Sequence, residues 1–280
     1  MTVRTWFITG VNSGFGREMT EQLLRRGDRV AGTVRKPDAV ADLKEKYGDQ
    51  FWVAHLDLTD VAEIKAVVGR AFAELGSIDV VVNNAGYGLF GAAEELTDAQ
   101  IDHIIATNLT GSIQVTRAAL PHLRAQQGAR IIQISTFGGQ AAFPGASMYH
   151  ATKWAIEGFT EAVAREVAGF GIGVTIIEPG GARTRFRYGS AQLGPALDAY
   201  ADTPVAAVRG MIENGRALPP GDPAKMAAVI IASAEQSPAP LRIALGTDSF
   251  GIIRTSLADR LAALEAQQDL ATSTDFPADA

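Results

Sequence analysis

The feature of the sequence that most restricts its fold is a regular alternation of short apolar runs with longer segments of helical period. Seven runs have the length and the β-branched or apolar content of strands, and they lie at 3–9, 29–34, 51–56, 78–82, 129–134, 172–178 and 241–245. The runs 78–82 and 172–178 are apolar almost throughout, as is usual for parallel strands covered on both faces. The alternation therefore predicts an α/β fold, with a doubly wound and mostly parallel sheet that has helices on both faces.

The segments between the runs carry start and stop signals of helices. Apolar residues recur at helical spacing after Asp60, and Gly76 marks the end of that helix. The segment 97–100 (TDAQ) is typical of a capping box, in which the threonine and the glutamine bond reciprocally at the start of a helix. Ser147 is the candidate N-cap of a further helix.

Two stretches fall outside this pattern. The segment 185–221 contains several prolines and is too long for an ordinary connection, so we expect a substrate lid or loop with short helices of its own. The polar stretch 268–280 is expected to be a loosely held tail. No internal repeat or low-complexity linker divides the rest, and residues 1–267 are predicted to form a single domain.

The composition excludes several classes of protein. The 280 residues include no cysteine, which excludes a disulfide scaffold, a thiolate nucleophile and a Cys-ligated metal, and the four histidines show no metal-ligand spacing. The net charge of −6 argues against nucleic-acid binding. No apolar run approaches the roughly 18 residues of a membrane span, and strand-like sequence begins where a signal peptide would lie. We therefore expect a cytoplasmic protein without a metal site, a membrane or a nucleic-acid partner.

A glycine-rich turn, TGVNSGFG at 9–16, connects the first predicted strand to the first predicted helix. Gly10 permits a tight exit from the strand, while Gly14 and Gly16 allow backbone to approach a pyrophosphate and the helix to pack closely on the sheet. The helix N-terminus offers free N–H groups and a positive dipole end, which suit phosphates. A glycine turn without a ligand is the alternative. We predict a dinucleotide here, contacted by Gly10, Asn12, Ser13, Gly14, Phe15 and Gly16.

The end of the second strand bears on which dinucleotide is bound. Enzymes that prefer NAD place an acidic residue about 20 residues after the glycine turn, where it accepts from the ribose 2′-OH. This sequence has Val34, Arg35 and Lys36 there, and the Arg35 guanidinium could fork onto a 2′-phosphate. Asp38 competes for this place, but it follows Pro37 and fits the cap of the next helix better. The pattern predicts NADP(H) in preference to NAD(H), with Arg35 as a solvated surface charge as the alternative.

Two further segments follow predicted strands, at the edge of the sheet where ligands bind in such folds. Asp57 could accept from an adenine amino group and Leu58 could cover the ring. An ordinary turn with Thr59 or Asp60 as a helix cap is a strong alternative. Small residues after the fourth strand would let the ribose pass close to backbone, and they give three more candidates, Asn84, Ala85 and Gly86.

The segment 179–184 (PGGART) follows the sixth predicted strand and could run beside a nicotinamide. The backbone at Ala182 could bond the carboxamide, and the Thr184 hydroxyl could reach the carboxamide or the pyrophosphate. The candidate contacts are Pro179, Gly180, Ala182 and Thr184. The only local basic cluster follows, formed by Arg183, Arg185 and Arg187. Solvated charges on a lid are the favoured interpretation of this cluster, and capture of an acidic substrate is the alternative.

Tyr149 and Lys153 are four residues apart, so on a helix the phenol and the ammonium lie on one face. To act as a base at neutral pH, the phenol needs a pKa about 3 units below its free value, which is roughly 4 kcal/mol. An ammonium at about 4 Å, at an effective dielectric of about 20, supplies about that much. We therefore expect Lys153 to lower the pKa of Tyr149, although such a pair alone is more often structural.

Thr136 and Asn108 complete the candidate chemistry. Thr136 follows the fifth strand, where its hydroxyl could hold a carbonyl or alcohol oxygen in front of the phenol, while alternation turns Ser135 the other way. Asn108 continues an inner helical stripe with Ile104 and Ile105, where a buried amide is costly unless it is hydrogen-bonded. Either the hydrogen-bonding groups of this amide are satisfied by nearby residues, or the amide holds a relay of water and backbone groups near the site. The residues alone leave both possibilities open.

Together these motifs resemble those of the short-chain dehydrogenase/reductase family. They occur in that family's order, as TGxxxGxG at 9–16, NNAG at 83–86, Asn108, Thr136 at the usual serine position, YxxxK at 149–153 and PGxxxT at 179–184. The resemblance covers about residues 3–190 and continues more weakly to about 250. Threonine in place of serine keeps the hydroxyl but is stiffer at χ1, so the rate or the substrate range could differ.

The resemblance implies a single Rossmann domain, usually with a seven-stranded sheet, that moves hydride between NAD(P) and a carbonyl/alcohol pair. It implies Tyr149 as general acid/base, Lys153 as the residue that lowers its pKa and binds the ribose, and Asn108 as support for a proton-relay water. Members of the family are commonly dimers or tetramers, so we expect a homodimer or homotetramer.

We expect an NADP(H)-dependent oxidoreductase that interconverts a ketone or aldehyde and an alcohol. Aromatic residues give a hint of an apolar substrate, namely Phe90, Phe143, Phe186 and Tyr188. A non-catalytic NADP(H)-binding redox sensor is the main alternative, although a sensor needs no proton donor. An epimerase or dehydratase with a tightly held cofactor fits the GxxxGxG spacing less well.

Overall fold

The computed structural model describes residues 3–126, 128–214 and 218–276. Within these residues the strands are β1 (Thr5–Thr9), β2 (Arg29–Val34), β3 (Phe51–His55), β4 (Val80–Asn83), β5 (Leu89–Phe90), β6 (Ala129–Ile134), β7 (Ile172–Pro179), β8 (Gln192–Leu193) and β9 (Arg242–Leu245). Seven of them form one parallel sheet in the order β3-β2-β1-β4-β6-β7-β9. The predicted α/β fold is confirmed, and each predicted run supplies one strand.

Helices cover both faces of this sheet. In the described residues they are α1 (Gly14–Arg26), α2 (Ala41–Tyr47), α3 (Val61–Leu75), α4 (Asp98–Ile104), α5 (Ser112–Gln126), α6 (Ser147–Val167), α7 (Pro204–Asn214), α8 (Pro223–Ser233), α9 (Thr247–Glu265) and α10 (Gln268–Thr272). None of them is both long enough and apolar enough to cross a bilayer, as far as the described residues go.

The sheet separates two apolar cores, because successive side chains of a strand point to opposite faces. Trp6 and Ile8 of β1 belong to the core that contains Leu23 of α1 and side chains of α8. Phe7, between them, belongs to the core that contains Ile64 of α3 and side chains of α5 and α6. Burial of one such side chain stabilises the fold by about 1.5–3 kcal/mol, so the two cores hold the sheet rigidly beneath the site.

Most of the predicted helix ends are confirmed. Asp60 caps α3 by accepting from the N–H of Glu63, and α3 ends before Gly76. Thr97 and the glutamine of the predicted capping box bond reciprocally at the start of α4. The prediction for Ser147 is wrong by one position: Ser147 is the first residue of α6, and Ala146 occupies the N-cap without a side-chain hydrogen bond.

The helical segment that carries Asn108 is not a regular α-helix. Residues Ile105–Gly111 form a π-helical stretch between α4 and α5. The stretch widens the helix, so the stripe extrapolated from Ile104 at α-helical spacing loses its phase at Asn108. At its end, a Cβ on Gly111 would lie 2.7 Å from the Cβ of Leu58, which shows how closely this stretch packs on the loop after β3.

The carboxyl ends of the strands converge where the order of the sheet reverses, between β1 and β4. In open α/β sheets this switch point is the usual place of a ligand. The segment after β7 extends over the same edge. It contains a π-helical turn at Phe186–Ser190, then β8 and α7, and β8 pairs with β5 in a small parallel ladder. Short elements were expected in this segment, whereas the β5–β8 ladder was not.

Candidate active site

A cavity of about 710 Å³ lies at the switch point. Most of the residues predicted from the sequence line it together, namely Gly10, Asn12, Ser13, Gly14, Phe15, Arg35, Asp57, Leu58, Asn84, Ala85, Gly86, Thr136, Tyr149, Lys153, Pro179, Gly180, Ala182 and Thr184. Two predicted residues, Gly16 and Asn108, are not on its wall. Predicted residues from seven separate parts of the chain therefore share one site.

The glycine turn is fixed by the loop that follows β4. The amide of Asn84 donates to the carbonyl oxygens of Thr9 at 2.8 Å and Gly10 at 3.2 Å. A Cβ on Gly16 would lie 2.2 Å from the Gly10 oxygen, while Gly10 itself has a φ of +74°. Gly16 is thus needed for close packing of α1 on the turn, and its predicted contact with a pyrophosphate is not supported by its position.

The N-terminus of α1 fits a diphosphate group. The Ser13 side chain makes no capping hydrogen bond there, and no acidic residue stands in the first turn. Gly14 and Phe15 at this end line the cavity. A helix N-terminus without a side-chain cap has N–H groups and a positive dipole end available for an anion, so these residues suit the pyrophosphate of a dinucleotide.

The end of β2 is basic in the structure. Arg35 is exposed, lines the cavity and forms no ion pair with the carboxylates of the described residues. Asp38 is not on the cavity wall and lies within the first turn of a short 3₁₀ helix, in which Lys36 occupies the N-cap position without a side-chain hydrogen bond. Asp57 is the carboxylate whose charge Arg35 affects at this end of the cavity, and the two form no ion pair.

Asp57 forms the turn that the sequence offered as the alternative to a contact with adenine, and it also lines the cavity. Its Oδ1 accepts from the N–H of Thr59 at 2.9 Å and from the hydroxyl of Thr59 at 2.8 Å. These hydrogen bonds keep the pKa of Asp57 below its usual value. Asp57 belongs to the turn, Asp60 caps the helix, and Asp57 still lines the cavity beside Leu58.

The side chains of Tyr149, Lys153 and Thr136 meet at the other end of the cavity. The Lys153 Nζ donates to the carbonyl oxygen of Ile134 at 2.9 Å and lies 5.9 Å from the centroid of the Tyr149 ring. The Thr136 hydroxyl donates to the carbonyl oxygen of Pro179 at 3.2 Å and lies near the phenol of Tyr149. A phenol, a hydroxyl and an ammonium thus surround one point at the end of β6.

The direction in which the pKa of Tyr149 shifts is opposite to the prediction. Burial raises this pKa above the usual range of tyrosine, and the neighbouring Thr136 hydroxyl opposes the shift only in part. Burial also lowers the pKa of Lys153 to about 8, against the opposing charge of Glu157. The predicted lowering by Lys153 fails because loss of solvent disfavours the phenolate, and Lys153 is not among the groups that shift this pKa. The phenol of Tyr149 is consequently protonated near neutral pH.

Asn108 is satisfied locally, which is one of the two roles that the sequence left open. Its Oδ1 accepts from the N–H of Tyr87 at 3.0 Å, and its Nδ2 donates to the carbonyl oxygen of Tyr87 at 2.8 Å. A Cβ on Gly86 would lie 3.1 Å from the same Oδ1. Asn108 therefore holds the backbone of the cavity-lining loop from behind.

The comparison with known sequences agrees with the motifs. The sequence model of the short chain dehydrogenase family matches residues 4–192. The chain belongs to the short-chain dehydrogenase/reductase family. It is 36% identical over 247 residues to the protein named Oxidoreductase BOA17 of Botryotinia fuckeliana, with 88% of this chain and 90% of that protein covered. A member of the family is an oxidoreductase that uses a nicotinamide cofactor, and this chain is one.

Solved structures of the family show the same fold. A short-chain dehydrogenase from Streptomyces avermitilis superposes with a TM-score of 0.92 at 39% identity, over 98% of this chain and 100% of that one. More distant members share the fold alone: a metagenomic oxidoreductase in complex with NADP has a TM-score of 0.68 at 23% identity, with 86% of this chain and 96% of that one covered. A short-chain dehydrogenase/reductase from Burkholderia phymatum in complex with NAD has a TM-score of 0.76 at 20% identity, with 90% of this chain and 92% of that one covered.

The wall of the cavity beyond the family's tyrosine is apolar. The ring of Tyr149 lies 6.0 Å from that of Phe90 and 5.7 Å from that of Phe186, centroid to centroid. Further side chains on this wall come from the loop before α6, from α7 and from α9, namely Phe143, Val208, Met211, Ile212 and Ile252. The sequence indicated the aromatic residues but missed those of α7, because its apolar residues carry no signal that tells a cavity wall from a core.

His150 is a buried group beside the phenol that the sequence did not single out. Its Nδ1 accepts from the N–H of Phe143 at 3.2 Å, which assigns the ring proton to Nε2. Burial lowers the pKa of His150, so the ring is neutral near pH 7. A lone histidine next to a tyrosine has no spacing pattern that would have predicted its place on the cavity wall.

The basic cluster after β7 is mostly directed away from the site. Arg183 and Arg185 are exposed and do not line the cavity, and the Arg183 Nε donates to the carbonyl oxygen of Pro219 at 3.0 Å. The side chains of Arg187 and Tyr188 lie outside the part of the chain that the structure describes. Groups of three or more possible metal ligands are absent from the described residues.

Proposed function

We propose that the protein reduces a ketone or an aldehyde to the corresponding alcohol with NADPH, and catalyses the reverse oxidation with NADP. The observation that carries the proposal is the single cavity whose wall holds Arg35 and the glycine turn at one end and Tyr149, Lys153 and Thr136 at the other. A dinucleotide that extends along this wall would bring its nicotinamide to the phenol.

The preference for NADP(H) rests on Arg35. Its guanidinium is exposed on the cavity wall and is not engaged by a described carboxylate, which fits a doubly charged 2′-phosphate. The N-terminus of α1 would hold the pyrophosphate, and Asp57 and Leu58 would hold the adenine. When bound, the reduced nicotinamide supplies hydride to the carbonyl carbon.

The residues of the chain supply the proton and the orientation. Tyr149, protonated near neutral pH because burial raises its pKa, donates its proton to the carbonyl oxygen of the substrate. The Thr136 hydroxyl holds that oxygen against the phenol. Lys153, fixed by Ile134, binds the ribose and supplies positive charge beside the phenolate that forms. Asn108 supports the loop at Gly86–Tyr87, and the relay water implied by the family resemblance belongs to this part of the proposal.

The substrate is proposed to carry an apolar group. Phe90 and Phe186 lie against the ring of Tyr149. Phe143 and the apolar side chains of α7 line the same cavity, and none of these residues offers a charged partner. Burial of a substrate's hydrocarbon against such a wall contributes about 25 cal/mol per Å² of apolar surface.

The proposal also covers location and assembly. We place the protein in the cytoplasm, and the resemblance to the family supports a homodimer or homotetramer. Light scattering of the purified protein would measure the subunit number directly.

The test is an assay of NADPH oxidation at 340 nm with a panel of apolar and charged ketones and aldehydes. We expect turnover with apolar carbonyl compounds, and a higher kcat/KM with NADPH than with NADH. Binding of NADPH without turnover across the panel would contradict the proposal and favour a redox sensor.

A further inference from the structure

A cluster of buried charged groups lies one helical turn beyond Lys153, and the proposed reaction does not use it. Glu157 of α6 and Glu178 of β7 each have 2% of their surface exposed. Their carboxyl groups are close enough for each to affect the ionisation of the other. Arg242 of β9 contacts both, because its Nε lies 3.5 Å from Glu157 Oε2 and 3.2 Å from Glu178 Oε1.

Two buried carboxyl groups that contact the same guanidinium are expected to retain one proton between them. Ionised carboxylates only accept hydrogen bonds, so they cannot bond one another, and like charges that are buried side by side repel. The Oε1 of Glu157 accepts from the Ser135 hydroxyl at 2.5 Å, and its Oε2 accepts from the amide of Gln140. Glu178 Oε1 has no hydrogen bond of proper geometry among the described residues. The proton therefore belongs on Glu178, and the charge on Glu157.

One guanidinium serves both buried carboxyl groups. The other charged groups that face the pair are Lys153 and Glu161 of α6, and Glu161, which is only partly buried, is also paired with Arg165 at 2.7 Å. Arg242 is the cation in contact with both Glu157 and Glu178, and one retained proton relieves the repulsion between these two carboxylates. Arg260 of α9 reaches Gln140 at 3.3 Å rather than the pair. Burial and the charge of Glu157 raise the pKa of Glu178 to about 8, in agreement with this proton.

The pair is joined to the residues that carry the chemistry. Three consecutive residues at the end of β6 are each bonded to α6 or β7, namely Ile134 to Lys153 at 2.9 Å, Ser135 to Glu157 at 2.5 Å and Thr136 to the carbonyl of Pro179 at 3.2 Å. Pro179 directly follows Glu178. A Cβ on Gly139 would lie 1.9 Å from Glu157 Oε1, so the turn after Thr136 also packs directly on this carboxylate.

We propose that Glu157 and Glu178 share a single proton and act as positioning residues, which fix the end of β6 that carries Thr136 and keep one negative charge beside Lys153. The catalytic part of this inference rests on the proposed function, whereas the shared proton does not. The two parts are tested separately.

The shared proton is tested by thermal unfolding across pH. The pKa of Glu178 is raised in the folded protein from 4.5 to about 8, so the stability that its proton provides is present below pH 4.5 and is lost as the pH rises to about 8. In Glu178→Gln the neutral amide removes this dependence. The Tm of the variant relative to wild type should rise by about 3 °C or more between pH 5.5 and 8.5.

The matched control is Glu166→Gln, an exposed glutamate on the same helix, for which the Tm difference should not change with pH. If the Tm difference between Glu178→Gln and wild type is likewise independent of pH, the shared proton is overturned. This measurement needs no substrate, so it decides the point even if the proposed reductase activity is not found.

The positioning role is tested by the pH profile of Glu157→Gln. This variant loses the negative charge beside Lys153 and one acceptor at the end of β6. We expect kcat for carbonyl reduction to fall at least tenfold, and the alkaline limb of kcat/KM to move down by at least half a pH unit. Glu166→Gln should keep both. A kcat within twofold of wild type, or a large loss with an unmoved limb, would overturn the positioning role.

Discussion

The ammonium nitrogen of Lys153 lies 2.9 Å from the carbonyl oxygen of Ile134, to which it donates a hydrogen bond. The bond fixes α6 to the end of β6. Tyr149, one turn earlier on α6, and Thr136, just after β6, therefore face the same cavity. The lysine connects two elements of the site as well as placing a charge in it.

The charge of Lys153 should set the alkaline limit of the reaction. Its pKa is lowered to about 8 by burial, so the amine is charged below this pH and becomes neutral above it. We expect kcat/KM for carbonyl reduction to be level near pH 6–7 and to fall above about pH 8. Stopped-flow rates from pH 6 to 9.5 measure this, and a kcat/KM that still rises at pH 9 would contradict it.

Arg35→Asp should reverse the preference between cofactors. The substitution removes a forked contact with the 2′-phosphate and adds an acceptor for a ribose 2′-OH. Hydrogen bonds to charged groups contribute about 1.5–3 kcal/mol, so kcat/KM for NADPH should fall by roughly 10- to 150-fold. The neighbouring Lys36→Asp is the control, since Lys36 does not line the cavity. An equal loss in both variants would mean that the phosphate is recognised elsewhere or only through net charge.

The hydroxyl of residue 136 should matter more than its methyl group. Thr136→Ser keeps the bond to the Pro179 carbonyl and should retain kcat within about threefold, whereas Thr136→Ala should lower kcat by about 10- to 100-fold. Steady-state kinetics with one ketone are sufficient. Equal activity of the alanine and serine variants would remove the hydroxyl from the mechanism.

Met211 of α7 should contribute to selection of apolar substrates. It is 43% exposed and lines the cavity, as Phe186 does. Met211→Glu would therefore place a charge against the substrate and should raise KM for an apolar ketone at least tenfold, with KM for NADPH unchanged. Val229→Glu on α8 is the matched control, because Val229 is also 43% exposed and does not line the cavity. An unchanged KM in Met211→Glu would place the substrate elsewhere.

Much of the fold and the cofactor end could be predicted because their signals are local. The glycines at 10–16 and the apolar strands each act within one short stretch of chain, and Arg35 stands directly at the end of a strand. The turn at Asp57 and the local satisfaction of Asn108 were foreseen as alternatives for the same reason. For Asp57 and Asn108, the structure shows the local hydrogen bonds that the sequence had offered as one of two alternatives.

The rest depends on contacts between distant parts of the chain. The wall from α7, the β5–β8 ladder and the Glu157–Glu178 pair join segments whose patterns are unremarkable alone. The pKa of Tyr149 was predicted with the wrong sign because sequence gives the spacing to Lys153 but not the loss of solvent. The π-helical stretch at Asn108 was not predicted, because the stripe of apolar residues was extrapolated at α-helical spacing throughout.

The central claim is that the Tyr149 phenol delivers the proton in carbonyl reduction. Tyr149→Phe removes only the hydroxyl, so its single-turnover rate of NADPH oxidation with a ketone tests the claim most directly, alongside NADPH affinity from fluorescence. We predict a rate at least about 100-fold below wild type, with the Kd for NADPH within threefold. A rate within tenfold of wild type would contradict the account.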